Sequence, residues 1–370
     1  MQKVKVNNRA KRVNPESMTT CKEMRTRYKV IFSKEMAVIL VTGGTGFIGR
    51  RLVQKLVESY GPESVQCLVY NKPHNSLETS GRAVLRNLGV EMVEGDLMTR
   101  EGLDRLNPNP TVIYHLAACT ETGDRDHTIN TVGTLNLLQA LPNLSSGVKF
   151  IFTSTIAVSD HRESAVAPVT EGTKLLRPYS EYGRKKLLTE SILKSWAEKK
   201  GFELNIVRVS AVFGASPKKG GLYDGLATLC KKNSPLARLN YPGKIAVVHV
   251  EDLASCLVTL AKRPLNLGKL TLVTPTTQAL SVAELASEFY RSLKKDYKPI
   301  ELPGFFWKFS AIVARFIYSL EPVIPHPIYN KLWQFSMLVN NNYYNHSVHT
   351  AEVFANVKFR KFRDAVNELV

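Results

Sequence analysis

Tyr182 and Lys186 lie four residues apart, a spacing that puts both side chains on one face of a helix. A phenol ionises at a pKa of about 10, and an ammonium group beside it favours the phenolate, bringing it towards neutral pH. Such a pair is equipped to give a proton to a carbonyl oxygen or to take one from an alcohol. A lone Y-x-x-x-K recurs by chance in many chains. Here it follows the hydroxyl pair Ser154-Thr155, which stands at the end of a strand predicted over 148–153, and that order makes it more specific.

An earlier stretch shows what kind of fold would hold the pair. The apolar run Ala37-Val38-Ile39-Leu40-Val41 reads as a buried strand. It leads through Gly43-Gly44-Thr45-Gly46-Phe47-Ile48-Gly49 into Arg50-Arg51-Leu52-Val53-Gln54-Lys55-Leu56-Val57, whose apolar residues have helical spacing. Gly43 permits a sharp turn, Gly46 lets the backbone approach a pyrophosphate, and Gly49 lets the helix pack close to the strand. The free N–H groups at the helix start then face an anion. The spacing is G-x-x-G-x-x-G rather than the G-x-G-x-x-G of the commonest dinucleotide folds. Gly43, Thr45, Gly46, Phe47, Ile48 and Gly49 are the candidate cofactor contacts of this turn.

In this order, the glycine turn and the later Tyr182–Lys186 pair resemble the extended short-chain dehydrogenase/reductase family of the NAD-dependent epimerase/dehydratase type, whose first turn reads T-G-x-x-G-F-I-G. The likeness runs over residues 37–290 and implies an α/β fold, a Rossmann-type doubly wound parallel sheet with a smaller C-terminal substrate lobe. It implies three catalytic residues. Thr155, in the pattern S-[ST]-x-x-V that closes on Val158, donates to the substrate oxygen. Tyr182 is the acid or base, and Lys186 also holds the nicotinamide ribose while hydride transfer is left to the cofactor. Further strands fall at 64–69, 90–97 and 111–118. Asp96 in Gly95-Asp96-Leu97 matches the contact to the adenine amino group, with Leu97 beside it. Leu116, Ala117 and Ala118 match the small residues against which the nicotinamide ribose lies. Asn130 would brace the cleft and Gly133 would permit close helix packing. His115 reads as a packed strand-end histidine, not a catalyst, and Cys119 as a small apolar filler.

At the end of the second strand, a carboxylate would accept a ribose 2′-OH and repel a 2′-phosphate. This chain has Tyr70-Asn71-Lys72 there, so NADP or NAD is expected, with NADP preferred and Asn71 and Lys72 as contacts. Sugar-nucleotide dehydratases of the family carry Asp-Glu straight after the catalytic threonine. This chain carries Ile156-Ala157, so dehydration is not expected. The leading expectation is an oxidoreductase interconverting a secondary alcohol and a ketone, as in the hydroxysteroid dehydrogenase and dihydroflavonol reductase branch. The alternative is a nucleotide-sugar epimerase acting through a keto intermediate. A non-catalytic cofactor sensor on the same fold is a third reading, which the retention of Thr155, Tyr182 and Lys186 argues against.

Residues 204–214 resemble the sixth strand, with Val209 where proline is usual, and 215–245 should form substrate-side loops and a helix. Asp252 is expected to cap a helix running to Ala261, with His249 and Asp252 as hinges of the substrate lobe. Phe305, Phe309, Ile312, Val313, Phe316 and Leu320 recur at helical spacing, with Lys308, Arg315 and Ser319 on another face. Sixteen residues are too few to span a bilayer, which needs about 20. A core or lid helix is expected ahead of peripheral membrane contact through 305–320. Residues 362–366 resemble the short closing helix of the family.

With 370 residues, 44% of them hydrophobic, the chain can bury a large core. The organisation expected is a basic, disordered extension over 1–35, a NAD(P)-binding domain over 36–290 with substrate-lobe insertions from about 215, and a substrate lobe over 291–370. The net charge of +18 is concentrated at the start: residues 1–35 hold ten Lys or Arg against three Glu, a balance of +7. That segment lacks the apolar stretch of a signal peptide, and a nucleic-acid partner is not expected. Five scattered cysteines without a C-x-x-C pair indicate neither a disulfide framework nor a metal site, and point to a reducing, cytoplasmic setting. The expected partner is a small-molecule substrate, with a homodimer compatible.

Overall fold

Short, doubly buried apolar runs alternate with longer amphipathic stretches, and the chain folds them into parallel strands crossed by helices. The computed structural model describes residues 38–73, 75–120, 126–161, 169–217, 220–265, 269–274, 278–319, 323–339 and 348–370. The basic extension 1–35, Lys218 and Lys219, Leu320 to Pro322, and Asn340 to Asn342 lie outside them.

In chain order the elements are β1 (Ile39–Thr42), α1 (Gly49–Tyr60), β2 (Val65–Tyr70), α2 (Ser76–Asn87), β3 (Glu91–Gly95) and β4 (Val112–His115). A π-helical turn (Ile129–Gly133) then leads into α3 (Thr134–Ala140), β5 (Lys149–Thr155), α4 (Glu181–Lys200), β6 (Glu203–Val209), β7 (Ala211–Phe213) and α5 (Leu222–Lys231). The rest comprises β8 (Lys244–His249), α6 (Val250–Lys262), β9 (Lys269–Val273), β10 (Gln278–Ser281), α7 (Val282–Ser292), α8 (Gly304–Ser319), α9 (His326–Val339), α10 (Val348–Val353) and α11 (Phe362–Ala365).

Seven strands pair in parallel in the order β3-β2-β1-β4-β5-β6-β9. The order reverses beside β1, so the crevice for a ligand opens between the carboxyl ends of β1 and β4. β1 and β5 are buried along their whole length. Even Lys149 at the start of β5 is buried, and its ammonium caps the end of α6 by donating to the carbonyls of Leu260 and Ala261 at 3.0 and 3.2 Å.

The stretch expected as one sixth strand, 204–214, is two strands in two sheets. β6 joins the large sheet, whereas β7 pairs with β8, itself antiparallel to β10. The break falls at Ser210, whose N–H donates to Thr274 Oγ1 at 3.2 Å instead of continuing the ladder. The expected cap also moves. His249 is the N-cap of α6, its ring nitrogen accepting from Glu251 N at 3.2 Å. Asp252 lies inside the first turn, where it accepts from Arg360 N and so ties down the C-terminal segment.

Among the described residues, two of the apolar clusters bear on the site. One, with Leu40, Ile113, Phe150, Leu193 and Ile206, lies beneath the large sheet. The other gathers Ala157, Phe213, Tyr223, Phe289, Trp333 and Phe362 from segments far apart in sequence. Among the described residues no helix is long and apolar enough to cross a membrane.

Candidate active site

The glycine turn is packed so tightly that two of its glycines admit no side chain. Gly43 has a left-handed φ of 73°, and a Cβ there would fall 2.6 Å from Ala117 N. A Cβ on Gly49 would fall 2.1 Å from the Gly43 carbonyl oxygen. At Gly46 it would meet only that oxygen, at 3.2 Å, so the side away from the turn is open. Ile48 occupies the cap position of α1 and no side chain caps the helix; the amides of Arg50 and Arg51 donate to the carbonyls of Gly46 and Ile48 at 3.1 and 3.2 Å, so the glycine turn runs directly into the helix. Thr45, Phe47 and Ile48 are all partly exposed along this rim. These features fit a dinucleotide pyrophosphate.

Across the crevice, Leu116, Ala117 and Ala118 leave the end of β4, partly exposed. A hydrogen-bonded relay fixes them. Ala117 N donates to Thr42 Oγ1 at 3.2 Å, and Thr42 Oγ1 lies 2.7 Å from His115 Nδ1. His115 Nε2 lies 2.8 Å from Thr134 Oγ1, which donates to the Asn130 carbonyl at 2.8 Å. Each hydroxyl has one proton, so Thr134 accepts from Nε2–H and Thr42 donates to Nδ1. Burial, with the Lys186 charge second, holds the His115 pKa down at about 3. This neutral imidazole has both nitrogens engaged and is structural. Asn130 braces the next segment, bonding the N–H and carbonyl of Cys119 at 2.8 and 3.0 Å. Cys119 is half-buried and close enough to Tyr182 to act on its ionisation.

Thr155, Tyr182 and Lys186 meet where β5 ends and α4 begins. The Thr155 side chain is hydrogen-bonded to the Tyr182 phenol and also accepts from Ala157 N at 3.2 Å. Lys186 is 2% exposed; its ammonium donates to Thr153 O at 2.9 Å and lies 4.5 Å from the Phe152 ring centroid. The ionisation differs from the sequence-based expectation. Burial pushes the Tyr182 phenol up to about 12, the bond to Thr155 opposing it. Burial also pushes the Lys186 ammonium down to about 7, against the Glu190 charge. Desolvation penalises both charged forms, and the ammonium is spent on the Thr153 carbonyl rather than on the phenolate.

Several residues that position this site carry no local signal. Glu190, one turn beyond Lys186, is fully buried and accepts from Ser154 Oγ at 2.6 Å and from Arg208 at 2.8 and 3.1 Å, clamping α4 to β5 and β6. Asp160 accepts from Tyr179 N at 2.8 Å, from Ser180 N and Oγ at 3.2 Å, and from Trp333 Nε1 at 3.0 Å, so α9 steadies the N-cap of α4. Burial raises Asp160 to about 6, against those four bonds. His127 is buried with its ring tilted 5.6 Å from that of Tyr182. Only its neighbourhood with Asn130 in sequence could have drawn notice.

At the far end of the crevice, Asp96 Oδ1 accepts from Met98 N at 2.7 Å, and Leu97 is buried. Lys72 is exposed, while Asn71 donates to Glu101 Oε2 at 3.0 Å. A carboxylate therefore does stand at the end of β2, supplied by the turn after β3. The nearby guanidinium of Arg82 is occupied by Glu94, at 2.7 Å, and by the Tyr70 carbonyl.

A model of the NAD dependent epimerase/dehydratase family matches residues 39–271. The chain belongs to that family. It is 28% identical over 307 residues to a UDP-glucose 4-epimerase of Vibrio cholerae, covering 78% of this chain and 88% of that one. It is 32% identical to a UDP-glucose 4-epimerase of Mycoplasma pneumoniae, of which it spans 55% while half of this chain is covered. A ceramide reductase of Caulobacter vibrioides is 29% identical over 229 residues, covering 61% of this chain and 62% of that one. The solved UDP-glucose 4-epimerase of Thermotoga maritima shares the fold, with a TM-score of 0.66 at 20% identity, covering 90% of this chain and 96% of that structure. The epimerases among these relatives back the epimerase alternative better than the leading expectation of an alcohol or ketone oxidoreductase.

Proposed function

We propose that this enzyme is a NAD-dependent epimerase of a nucleotide sugar, working through a keto intermediate. The observation that carries the reading is the similarity to the Vibrio cholerae UDP-glucose 4-epimerase along 88% of its length. The site chemistry supports it. Gly43, Thr45, Gly46, Phe47, Ile48 and Gly49 hold the pyrophosphate, Asp96 and Leu97 the adenine, and Leu116, Ala117 and Ala118 the nicotinamide ribose. Bound NAD supplies a hydride acceptor that later returns the hydride. Tyr182, which must first lose its own proton, then takes that of the sugar hydroxyl and gives it back to the ketone oxygen; Thr155 donates to that same oxygen, and Lys186 binds the ribose hydroxyls. Glu101 beside Asn71 supports NAD over NADP, because a carboxylate there repels a 2′-phosphate.

A second reading, reduction of an apolar ketone, is favoured by the likeness to the ceramide reductase and by the exposed apolar side of α8. One experiment separates them. An epimerase must return its hydride to the same substrate and gains by keeping its cofactor, whereas a reductase must release it. Purified protein that carries NAD, resists exchange against excess NADPH, and turns that NAD into NADH at 340 nm when given UDP-glucose or UDP-galactose supports the first reading. Protein that arrives empty, takes up NADPH reversibly and ignores both sugars overturns it.

A further inference from the structure

α8 presents the opposite of an ordinary amphipathic surface helix. It packs inwards through Trp307, Ala311 and Ala314, which are buried. It turns outwards Phe305, Phe309, Ile312 and Phe316, which are 74, 65, 62 and 65% exposed. Their spacing aligns them in one stripe along the helix. Phe306 and Val313 widen it, and Val323 and Ile328, also exposed, continue it towards α9. The face expected to enter a core therefore lies outside, and so dense a patch of large apolar side chains marks an interaction surface.

Charge identifies the partner. α8 and α9 together carry Lys308, Arg315 and Lys331 and no acid, the nearest acids in sequence, Glu301, Glu321 and Glu352, standing outside both helices. Lys308 and Lys331 are exposed. A second copy of this face would bring the same cations against these, whereas anionic headgroups neutralise them.

We propose that α8 docks lengthwise on an anionic lipid surface, with Phe305, Phe309, Ile312 and Phe316 entering the acyl region and Lys308 and Lys331 at phosphate level. Aromatic and aliphatic side chains flanked by lysines, on a helix too short to span, are the composition of an interfacial helix. The docked face is fastened to the site: on α9, Tyr329 Oη donates to Tyr179 O at 3.1 Å and Trp333 Nε1 donates to Asp160 Oδ2 at 3.0 Å. Docking thus brings the segment that enters α4 close to the bilayer, and it does so whichever substrate the site takes.

Flotation of the full chain with vesicles of equal parts phosphatidylglycerol and phosphatidylcholine, and of phosphatidylcholine alone, tests this. The protein should float with the anionic vesicles and be released progressively by salt. Phe305→Ser/Phe309→Ser should weaken partitioning roughly tenfold or more, while its melting temperature stays that of the parent because both side chains are already in water. In a second measurement, Ile312→Trp should shift its emission to the blue on anionic vesicles and be quenched by brominated acyl chains. The proposal is overturned if the wild type stays unbound. It is equally overturned if the double variant floats as well as the wild type, which assigns binding to the basic residues 1–35, or if Ile312→Trp shows neither shift nor quenching. A wild-type dimer that the double variant breaks, with neither protein floating, overturns it in favour of a second copy.

Discussion

The protons on Tyr182, Lys186 and His115 are governed by burial before any neighbour acts on them. Tyr182, raised to about 12, rests as a neutral phenol, the form that protonates a ketone oxygen. Its replacement in Tyr182→Phe keeps the ring and removes only the proton carrier. Turnover should fall by about 10²–10⁴-fold with the nucleotide content of the purified protein unchanged. Equal turnover in the two proteins would remove Tyr182 from the chemistry. His115 gives a different readout. It is protonated only below about 3 when folded, against about 6.5 when unfolded, so between those values the unfolded chain holds the extra proton. Its contribution to stability is present above about 6.5 and lost as the pH falls through that window. The melting temperature of His115→Gln should start lower than that of the parent and depend less steeply on pH between 6.5 and 4.5; parallel slopes would refute the assignment. The pairing of Tyr182 with Lys186 was legible in five residues of sequence. Their charge states were not, because desolvation sums over every atom packed around them.

Among the elements, α4 matters most, since it carries Tyr182 and Lys186 and is fixed at both ends of its working face. Ser180 caps it under the grip of Asp160, and Glu190 locks its middle to β5 and β6 through Ser154 and Arg208. Glu190 and Arg208 have side chains only 1 and 5% exposed. A buried pair is costly to break because the survivor keeps an uncompensated charge. Glu190→Gln should therefore cost about 3–5 kcal/mol in denaturant unfolding, far more than an exposed pair. A loss below about 1 kcal/mol would mean that the pair is hydrated and not structural. Helical periodicity announced α8, yet it could not say which side of that helix faces in. Both sides of that helix bear aromatic residues, and only the space left by Tyr241 and Asn240, which receive Trp307, decides.

At the scale of the molecule, residues Val38–Val370 form one compact unit. Removing residues 1–35 lowers the net charge by 7, from +18 to +11. The shortened chain should melt at the same temperature and take up the same amount of nucleotide, while losing salt-sensitive retention on a polyanion column. A drop of several degrees in the melting temperature would show that the first 35 residues belong to the folded unit.

What the sequence alone determined is whatever a local run of backbone can specify. The glycine turn had to bend where Gly43 and Gly49 stand, and Tyr182 and Lys186 had to share a face, because backbone sterics and helical pitch act over a few residues. What the tertiary structure decided is what contact between distant segments creates. Glu101 reaches Asn71 from 30 residues away and supplies the carboxylate missing from β2. Trp333 reaches Asp160 from 173 residues away. The strand expected over 204–214 divides because two sheets compete for it. Burial, register and the outward face of α8 are properties of neighbours, and the order of residues in the chain does not name the neighbours.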